Sequence, residues 1–334
     1  MDDRETPAMT KVFRFHELGG PEVLKLEDVD LGAPGPGEVL IRQTAIGVNF
    51  RDIYRRTGIH AVEGFPAAMG VEGAGVIEAV GENVDGFKPG QRVVAQGAPD
   101  GAYAEARIVQ AWRVMVLPDG IDEVTAAAMM VKGLTARNLL KRCYPVCSSD
   151  TILVHAAAGG VGLIMCQWAK HLGATVIGTV GTDAKAEVAQ ANGCDHTIVY
   201  SREDFAQRVR EITGGEGVNA VYDSIGKDTF ESSLSCLRPL GLMAQFGEAS
   251  GEPPLVSPRK LGTLGSVYLT HPSLPHYTAT REDFETSAND LFEVVGSGVI
   301  KIAIHRTYPL ADAGKAQIDL AARRTTGSIV LVNE

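Results

Sequence analysis

Residues 151–162, TILVHAAAGGVG, run an apolar strand straight into a glycine-rich turn. Ala157, Gly159 and Gly162 occupy the three positions of a G-x-G-x-x-G fingerprint, with alanine in place of the first glycine. Such a turn lets backbone N–H groups approach a pyrophosphate, and the helix behind it points its positive end at the same charge. The flanks fit, with Thr151–Val154 reading as a buried strand and Leu163–Leu172 as a helix closed by Gly173. The turn alone would also suit a tight strand-to-helix connection with no ligand.

The alternation continues downstream. Strands are expected at Thr151–His155, Thr175–Val180, His196–Tyr200, Val218–Asp223, Leu242–Phe246 and Ser266–Thr270. Helices are expected between them at Leu163–Leu172, Ala184–Ala191, Arg202–Ile212 and Phe230–Leu237. Ser201 with Asp204 resembles a capping box, and Gly173, Gly193 and Gly214 sit where helix ends need a left-handed residue. Strands alternating with helices imply a parallel, doubly wound α/β sheet whose ligand crevice lies outside the carboxyl ends of its strands.

The first 130 residues follow another pattern. Short strand-like pieces (Val12–Phe15, Val39–Ile46, Gly75–Val80, Arg92–Ala95) are punctuated by Gly and Pro, as in LGAPGPGE at 31–38. That pattern predicts a twisted, mostly antiparallel β-domain. Past residue 271 come two helical stretches, Arg281–Val295 and Ala311–Ala322, and a strand-like end, Ser328–Asn333. The expected division is 134–270 for the dinucleotide-binding domain, with 1–133 and 271–334 forming the β-rich one. At 334 residues two domains are the default.

Composition narrows the partners. A formal net charge of −10 disfavours nucleic acid, and it also opposes the approach of an anionic cofactor, so binding must come from local donors. No apolar run reaches the roughly 20 residues that span a bilayer, and no secretory signal pattern opens the chain. Residues 1–9 read as a polar tail. The five cysteines form no CxxC pair and no Cys/His cluster, so no metal site is expected; free thiols in a reducing, cytoplasmic setting are the simplest reading. Cys166 and Cys236 read as core.

Nearly the whole chain resembles the zinc-free, NADPH-dependent quinone oxidoreductase branch, zeta-crystallin-like, of the medium-chain dehydrogenases/reductases. The blocks that carry the resemblance run from HELGGPEVL at 16–24 to TTGSIVLV at 325–332. They include AIGVNFRDIYRRTG at 45–58, GVEGAGVIEAVG at 70–81, GAYAE at 101–105, KGLTA at 132–136 and HAAAGGVGLI at 155–164. QWAKHLGATVIGTVGT at 167–182, VYDSIG at 221–226 and GLMAQFG at 241–247 complete them. The resemblance implies a Rossmann domain plus a β-rich, GroES-like catalytic domain. Zinc-dependent relatives carry a cysteine where this chain has Asn49 and a histidine where it has Val71.

For the cofactor, NAD-specific turns place an acid at the end of the second strand. Here that strand ends in Gly181, and Asp183, just beyond it, reads as an N-terminal residue of the next helix. The resemblance implies that Lys185, Tyr200 and Arg323 contact a 2′-phosphate, with Gly181 and Thr182 beside them. Lys185 alone would equally suit a solvated helix face. Gly160 and Val161 are expected at the pyrophosphate, with Ser224 near the adenosine. Phe246 and Gly247 are expected to line the cofactor, and Tyr268 and Thr270 to hold the carboxamide.

The resemblance also implies that Asn49 and Tyr54 enter the catalytic cleft as hydrogen-bond donors, with Thr135 fixing the nicotinamide. The plainer alternative is that Asn49 caps a helix starting at Phe50 while Tyr54 packs. Lys132 is a candidate near the nicotinamide or an ion-pair partner, and His60 has no assigned role. His155 is expected to be structural. Asn138 stands where relatives tend to have an aromatic residue, which implies a smaller, more polar wall.

Taken together, these readings imply an NADPH:quinone oxidoreductase (EC 1.6.5 class) acting as a homodimer. The alternatives are an enal, enone or enoyl-thioester reductase and a non-catalytic NADPH-binding module.

Overall fold

The computed structural model describes residues 9–333, so most of the expected N-terminal tail lies outside the described residues. The chain packs as two compact units, one running to Val131 and resuming at Ile304, the other spanning Lys132–Ala303.

The first unit begins with β1 (Met9–Phe15) and β2 (Lys25–Asp30), followed by the long β3 (Glu38–Val48). α1 (Phe50–Thr57) comes next, then β4 (Ala67–Ala68) and β5 (Glu72–Val80). β6 (Arg92–Gln96), β7 (Ala106–Gln110) and β8 (Val114–Val116) complete this segment. All pairings among these strands are antiparallel, as the Gly/Pro punctuation predicts. Alternate residues of β3 such as Val39 and Ile41 face a core with Ile77, Val93, Val109 and Val114. α1 starts at Asn49, which has extended backbone, and ends at Gly58 in the left-handed region (φ 86°).

α2 (Glu123–Asn138) crosses from the first unit into the second. The second unit then alternates strictly: β9 (Thr151–Val154), α3 (Gly160–His171), β10 (Thr175–Val180), α4 (Asp183–Ala191), β11 (His196–Val199) and α5 (Phe205–Ile212). β12 (Val218–Asp223), α6 (Phe230–Ser235), β13 (Leu237–Gln245), α7 (Pro258–Thr263) and β14 (Tyr268–Thr270) finish the sheet. Its six strands are all parallel, in the order β11-β10-β9-β12-β13-β14. In order of appearance that is 3-2-1-4-5-6, the doubly wound dinucleotide-binding order, and it reverses between β9 and β12. β12 is buried along its whole length, as expected of a central parallel strand covered on both faces. Leu153, Ile177, Val221 and Met243 from the sheet join Val209, Phe230 and Leu234 from the helices in one core.

Two expectations change. Residues 271–303, expected with the β-rich domain, belong to the second unit, with the Rossmann sheet. α8 (Leu274–Tyr277) is followed by α9 (Arg281–Gly296), whose Leu291 side chain lies where a Cβ at Gly133 would be, 2.5 Å away. Asp290 of α9 pairs with Arg137 (2.8 Å) and Lys141 (3.0 Å). The helical periodicity of this stretch was legible, but its docking partner was not. The second change is the cap of α5. Asp204 accepts the Ala206 and Gln207 N–H groups, so Ser201 and Arg202 lie in the preceding turn.

After Ala303 the chain re-enters the first unit through β15 (Ile304–Pro309), α10 (Ala313–Ala321) and β16 (Ser328–Val332). β16 pairs antiparallel with β3 and parallel with β15, so the end of the chain does return to the β-rich unit.

Candidate active site

In a parallel sheet every carboxyl end faces the same edge, and most of the expected cofactor residues gather there. Ala157–Gly162 follow β9, Gly181–Lys185 follow β10, and Tyr200 follows β11. Ser224 follows β12, Phe246 and Gly247 follow β13, and Thr270 ends β14. Gly159 has extended backbone and sits immediately before α3. Gly160, Val161 and Gly162 form the first turn of α3, whose N–H groups have no intrahelical acceptor, the arrangement that suits an anion at a helix N-terminus. A Cβ at Gly162 would lie 2.3 Å from the Ala156 oxygen and 2.8 Å from the Ala157 Cα, so this glycine is required for helix α3 to pack against the turn.

The alanine at the first fingerprint position has a compensation across the sheet. Ala157 donates its N–H to the Thr179 oxygen (3.1 Å), and its Cβ fills the space above Gly178, where a Cβ would come within 2.7 Å of it. Gly178, on the adjacent strand, leaves room for that methyl group. The tight fit is preserved while the turn carries a methyl group.

The second and third strand ends are also joined. The Tyr200 hydroxyl lies 2.9 Å from where a Cβ of Gly181 would be, so Gly181 lets the phenol lie against the turn. The Thr182 hydroxyl caps α4 by accepting the Lys185 N–H (3.3 Å), and Asp183 is the first residue of that helix. Burial pushes the Lys185 ammonium below its ordinary value, so a nearby anion would favour its charged form. Gly247 lies against the Ser224 backbone, and Phe246 donates its N–H to the Asp223 oxygen (2.8 Å). Tyr268 is 59% exposed on an outer strand, and Thr270 pairs in register with Ala244.

Beneath these turns runs a closed polar network centred on His155. Asp223 accepts the Ile225 and Gly226 N–H groups on one oxygen and the Thr229 and Ser233 hydroxyls on the other (2.7–3.1 Å). Ser233 uses its only proton on Asp223, so toward His155 Nε2 (2.9 Å) it must accept. His155 is therefore the Nε2–H tautomer, and its Nδ1 accepts from the Thr179 hydroxyl (2.8 Å). Burial holds the imidazole below its ordinary pKa, against the opposing pull of Asp223. The ring ties together the ends of β9, β10 and β12, which is the structural role expected for it.

In the β-rich unit, Asn49 is buried at the N-terminus of α1, with its backbone N–H bound to the Asp52 carboxylate (2.9 Å). Its amide nitrogen also donates to Glu72 (2.7 Å), whose other oxygen accepts the Val131 N–H (2.6 Å). Gly47 makes room for this bridge, since a Cβ there would lie 2.2 Å from Glu72 Oε1. Asn49 is thus both a helix-start residue and an oriented polar group. Tyr54 is half-buried on α1, with Phe50 (6.2 Å between centroids) and the His60 ring (5.3 Å) against it.

Asp52 is fully buried, and desolvation raises its pKa to about 6. Tyr103 donates to Asp52 (3.0 Å), and burial together with that carboxylate keeps the phenol well above its usual pKa. Arg107 is buried in the same unit, and desolvation lowers its pKa to about 10 against the pull of Asp100 and Glu72. Sequence reading missed Glu72, Asp52 and Arg107. The available signal was a charged residue inside an otherwise small or apolar block, as in GVEGAG at 70–75.

The remaining expected residues fall elsewhere. Lys132 and Thr135 lie on the part of α2 that belongs to the Rossmann unit, and Arg323 lies just past α10 in the β-rich unit, at φ 56°. Asn138 is buried and turned back on its own helix, donating to the Leu134 oxygen (2.9 Å) and accepting from Arg137 (3.0 Å). Among the described residues, no three His, Cys, Asp or Glu side chains gather as a metal site.

A 3-2-1-4-5-6 sheet with a glycine-rich first turn, in one chain with a β-rich unit, defines the class: a two-unit protein with a doubly wound dinucleotide-binding fold. Comparison with known proteins gives the family. Residues 160–293 match the zinc-binding dehydrogenase family and residues 35–119 the alcohol dehydrogenase GroES-like domain. A quinone oxidoreductase of Pseudomonas aeruginosa is 48% identical over 324 residues, covering 97% of this chain and 100% of the relative. A 2-haloacrylate reductase of a Burkholderia species is 47% identical, covering 95% of this chain and 97% of the relative. The crystal structure of Escherichia coli quinone oxidoreductase complexed with NADPH superposes with a TM-score of 0.94 at 44% identity, covering 96% and 99% of the two chains. The chain belongs to the quinone oxidoreductase family of the medium-chain dehydrogenases/reductases.

Proposed function

We propose that this protein reduces quinones with NADPH and needs no metal. The observation that carries the reading is the end of β10. β10 itself ends without a carboxylate to hold a ribose diol, Asp183 lying three residues on at the start of α4, and the turn offers Gly181, Thr182 and half-buried Lys185, with Tyr200 lying against Gly181. That set suits a 2′-phosphate, which needs charge-assisted donors, and the E. coli relative was crystallised with NADPH. The α3 N-terminus fits a pyrophosphate, since Gly162 clears the space a side chain would fill. Arg323 is a further candidate for the 2′-phosphate.

NADPH, when bound, supplies a hydride. The chain's own residues have the task of positioning and charge stabilisation. We assign Asn49 and Tyr54 to that task, with Thr135 helping to fix the nicotinamide. Glu72 holds the Asn49 amide in one orientation, and the Tyr54 hydroxyl is a neutral donor for an acceptor oxygen.

The 2-haloacrylate reductase relative favours a second reading, hydride delivery to an activated alkene with Tyr54 as proton donor. An acceptor panel of 1,4-benzoquinone, 9,10-phenanthrenequinone, 2-haloacrylate and 2-alkenals with NADPH separates the readings. Quinone turnover that survives Tyr54→Phe supports the first. Alkene turnover lost in that variant supports the second. Tight NADPH binding with no turnover of any acceptor would leave a binding module.

We also infer a homodimer formed through β14. It is one of the two outer strands of its sheet, and Tyr268 is exposed on it. Light scattering at micromolar concentration tests this. A cytoplasmic location agrees with five free cysteines, and no helix among the described residues is long and apolar enough to cross a membrane.

A further inference from the structure

Asp183 is the first carboxylate after β10, three residues past its last residue, Val180. In a doubly wound sheet an acid in that region accepts the ribose hydroxyls of the unphosphorylated coenzyme and repels a 2′-phosphate. Asp183 adjoins Thr182, and Lys185 follows two residues later on the same turn of α4. Its presence conflicts with a phosphate-binding set unless something neutralises it.

The neutralising group comes from the next strand. Arg202 lies in the turn after β11, two residues beyond Tyr200, and its NH1 pairs with Asp183 Oδ1 at 2.6 Å. The turns after β10 and β11 are therefore joined twice, by Tyr200 lying over Gly181 and by this ion pair. Both side chains of the pair are mostly exposed, at 54% for Arg202 and 73% for Asp183. Exposed pairs of this kind contribute little to stability, so the fold does not depend on it. Of the neighbouring charges, Glu203 lies 4.0 Å from Arg202 Nε. It already accepts the Val199 N–H (2.9 Å) and pairs with Arg208 (3.4 Å). A guanidinium has five donors, so Arg202 can hold Asp183 and still offer N–H groups to a phosphate.

We propose that Arg202 is a specificity-determining residue of the cofactor site: by pairing with Asp183 it cancels a carboxylate that would otherwise select against a phosphorylated ribose. This rests on the NADPH reading above. The discrimination is thus set partly by a donor and partly by the masking of an acid.

The test is a dissociation constant, independent of turnover. NADPH and NADH are titrated by cofactor fluorescence into the wild type, Arg202→Met, Asp183→Ala and the double variant, with circular dichroism as a check on folding. The expected result is that Arg202→Met weakens NADPH about tenfold, leaves NADH unchanged or tighter, and is largely rescued when Asp183→Ala is added. Asp183→Ala alone should leave NADPH affinity unchanged or tighter. If Arg202→Met leaves the NADPH/NADH ratio within twofold of wild type, the proposal fails. If the double variant is as weak as Arg202→Met, masking is also wrong, and Arg202 acts only by its own contact. A wild type that prefers NADH overturns the cofactor reading itself, and this proposal with it.

Discussion

The candidate functional residues of the two units are made of different material. In the Rossmann unit the candidate surface is mostly backbone: first-turn N–H groups at Gly160–Gly162 and glycines that admit a close neighbour at 162, 178 and 181. In the β-rich unit it is mostly buried side chains, with Glu72 bridging Asn49 to Val131 and Asp52 joined to Asn49 and Tyr103. Backbone sites follow from local sequence, because a turn needs specific residues at consecutive positions. Side-chain sites depend on residues far apart in the chain, and a sheet must form before they meet. A site of the first kind is therefore sensitive to added volume. One of the second kind is sensitive to lost hydrogen-bond partners.

That contrast predicts separable defects. The largest should come from Gly162→Val, whose side chain starts 2.3 Å from the Ala156 oxygen. NADPH affinity should fall about a hundredfold or more as α3 is displaced, and the melting temperature should drop, since overpacking costs ~1–3 kcal/mol. Affinity within threefold of wild type would break the backbone half of the comparison.

Glu72→Ala comes next. It removes the carboxylate to which the buried Asn49 amide and the part-buried Val131 N–H donate, at ~1–3 kcal/mol for the buried bond. Turnover (kcat/KM for the acceptor) should fall at least tenfold, with the NADPH dissociation constant within about twofold of wild type. Glu72→Gln, which keeps one acceptor oxygen, should fall between the two. Equal losses in turnover and cofactor affinity would mean that the units do not divide the work as argued.

Lys185→Met should weaken NADPH about tenfold and leave NADH unchanged. One charge-assisted bond contributes ~1.5–3 kcal/mol, and ~1.4 kcal/mol is a factor of ten. Titration with both coenzymes checks this.

The smallest effect is a pH dependence in the β-rich unit. The Asp52 carboxyl is raised from 3.8 to about 6 by burial. The folded state then holds this proton more tightly than the unfolded chain, so the stabilisation is present below pH 4 and lost as pH rises through 6. Asp52→Asn cannot ionise and keeps an acceptor for Asn49 and Tyr103. Its melting temperature relative to wild type should therefore climb by a few degrees between pH 4 and pH 7. A difference that stays flat or falls would contradict the burial argument.

Much of this was legible before any coordinates. The six parallel strands, the glycine turn, the helix-start position of Asp183 and the antiparallel first part all follow from periodicity and punctuation. Most of the expected cofactor residues follow the carboxyl ends of strands, which periodicity alone locates. Residues 271–303 were not placed correctly, because Leu291 and Asp290 only gain meaning opposite Gly133 and Arg137, more than 150 positions earlier. Asn49 could be read either as a cap or as a polar site residue; it starts α1 and also donates its amide to Glu72. Glu72 was missed although it is the charged residue of the small, apolar block GVEGAG, because its partners Asn49 and Val131 lie far from it in the chain.

Steady-state oxidation of NADPH and NADH by 9,10-phenanthrenequinone, after dialysis against a strong metal chelator, tests the central claim most directly. The account predicts robust turnover with NADPH, a kcat/KM at least tenfold lower with NADH, and no loss on chelation. Turnover that requires added metal, or that prefers NADH, would contradict it.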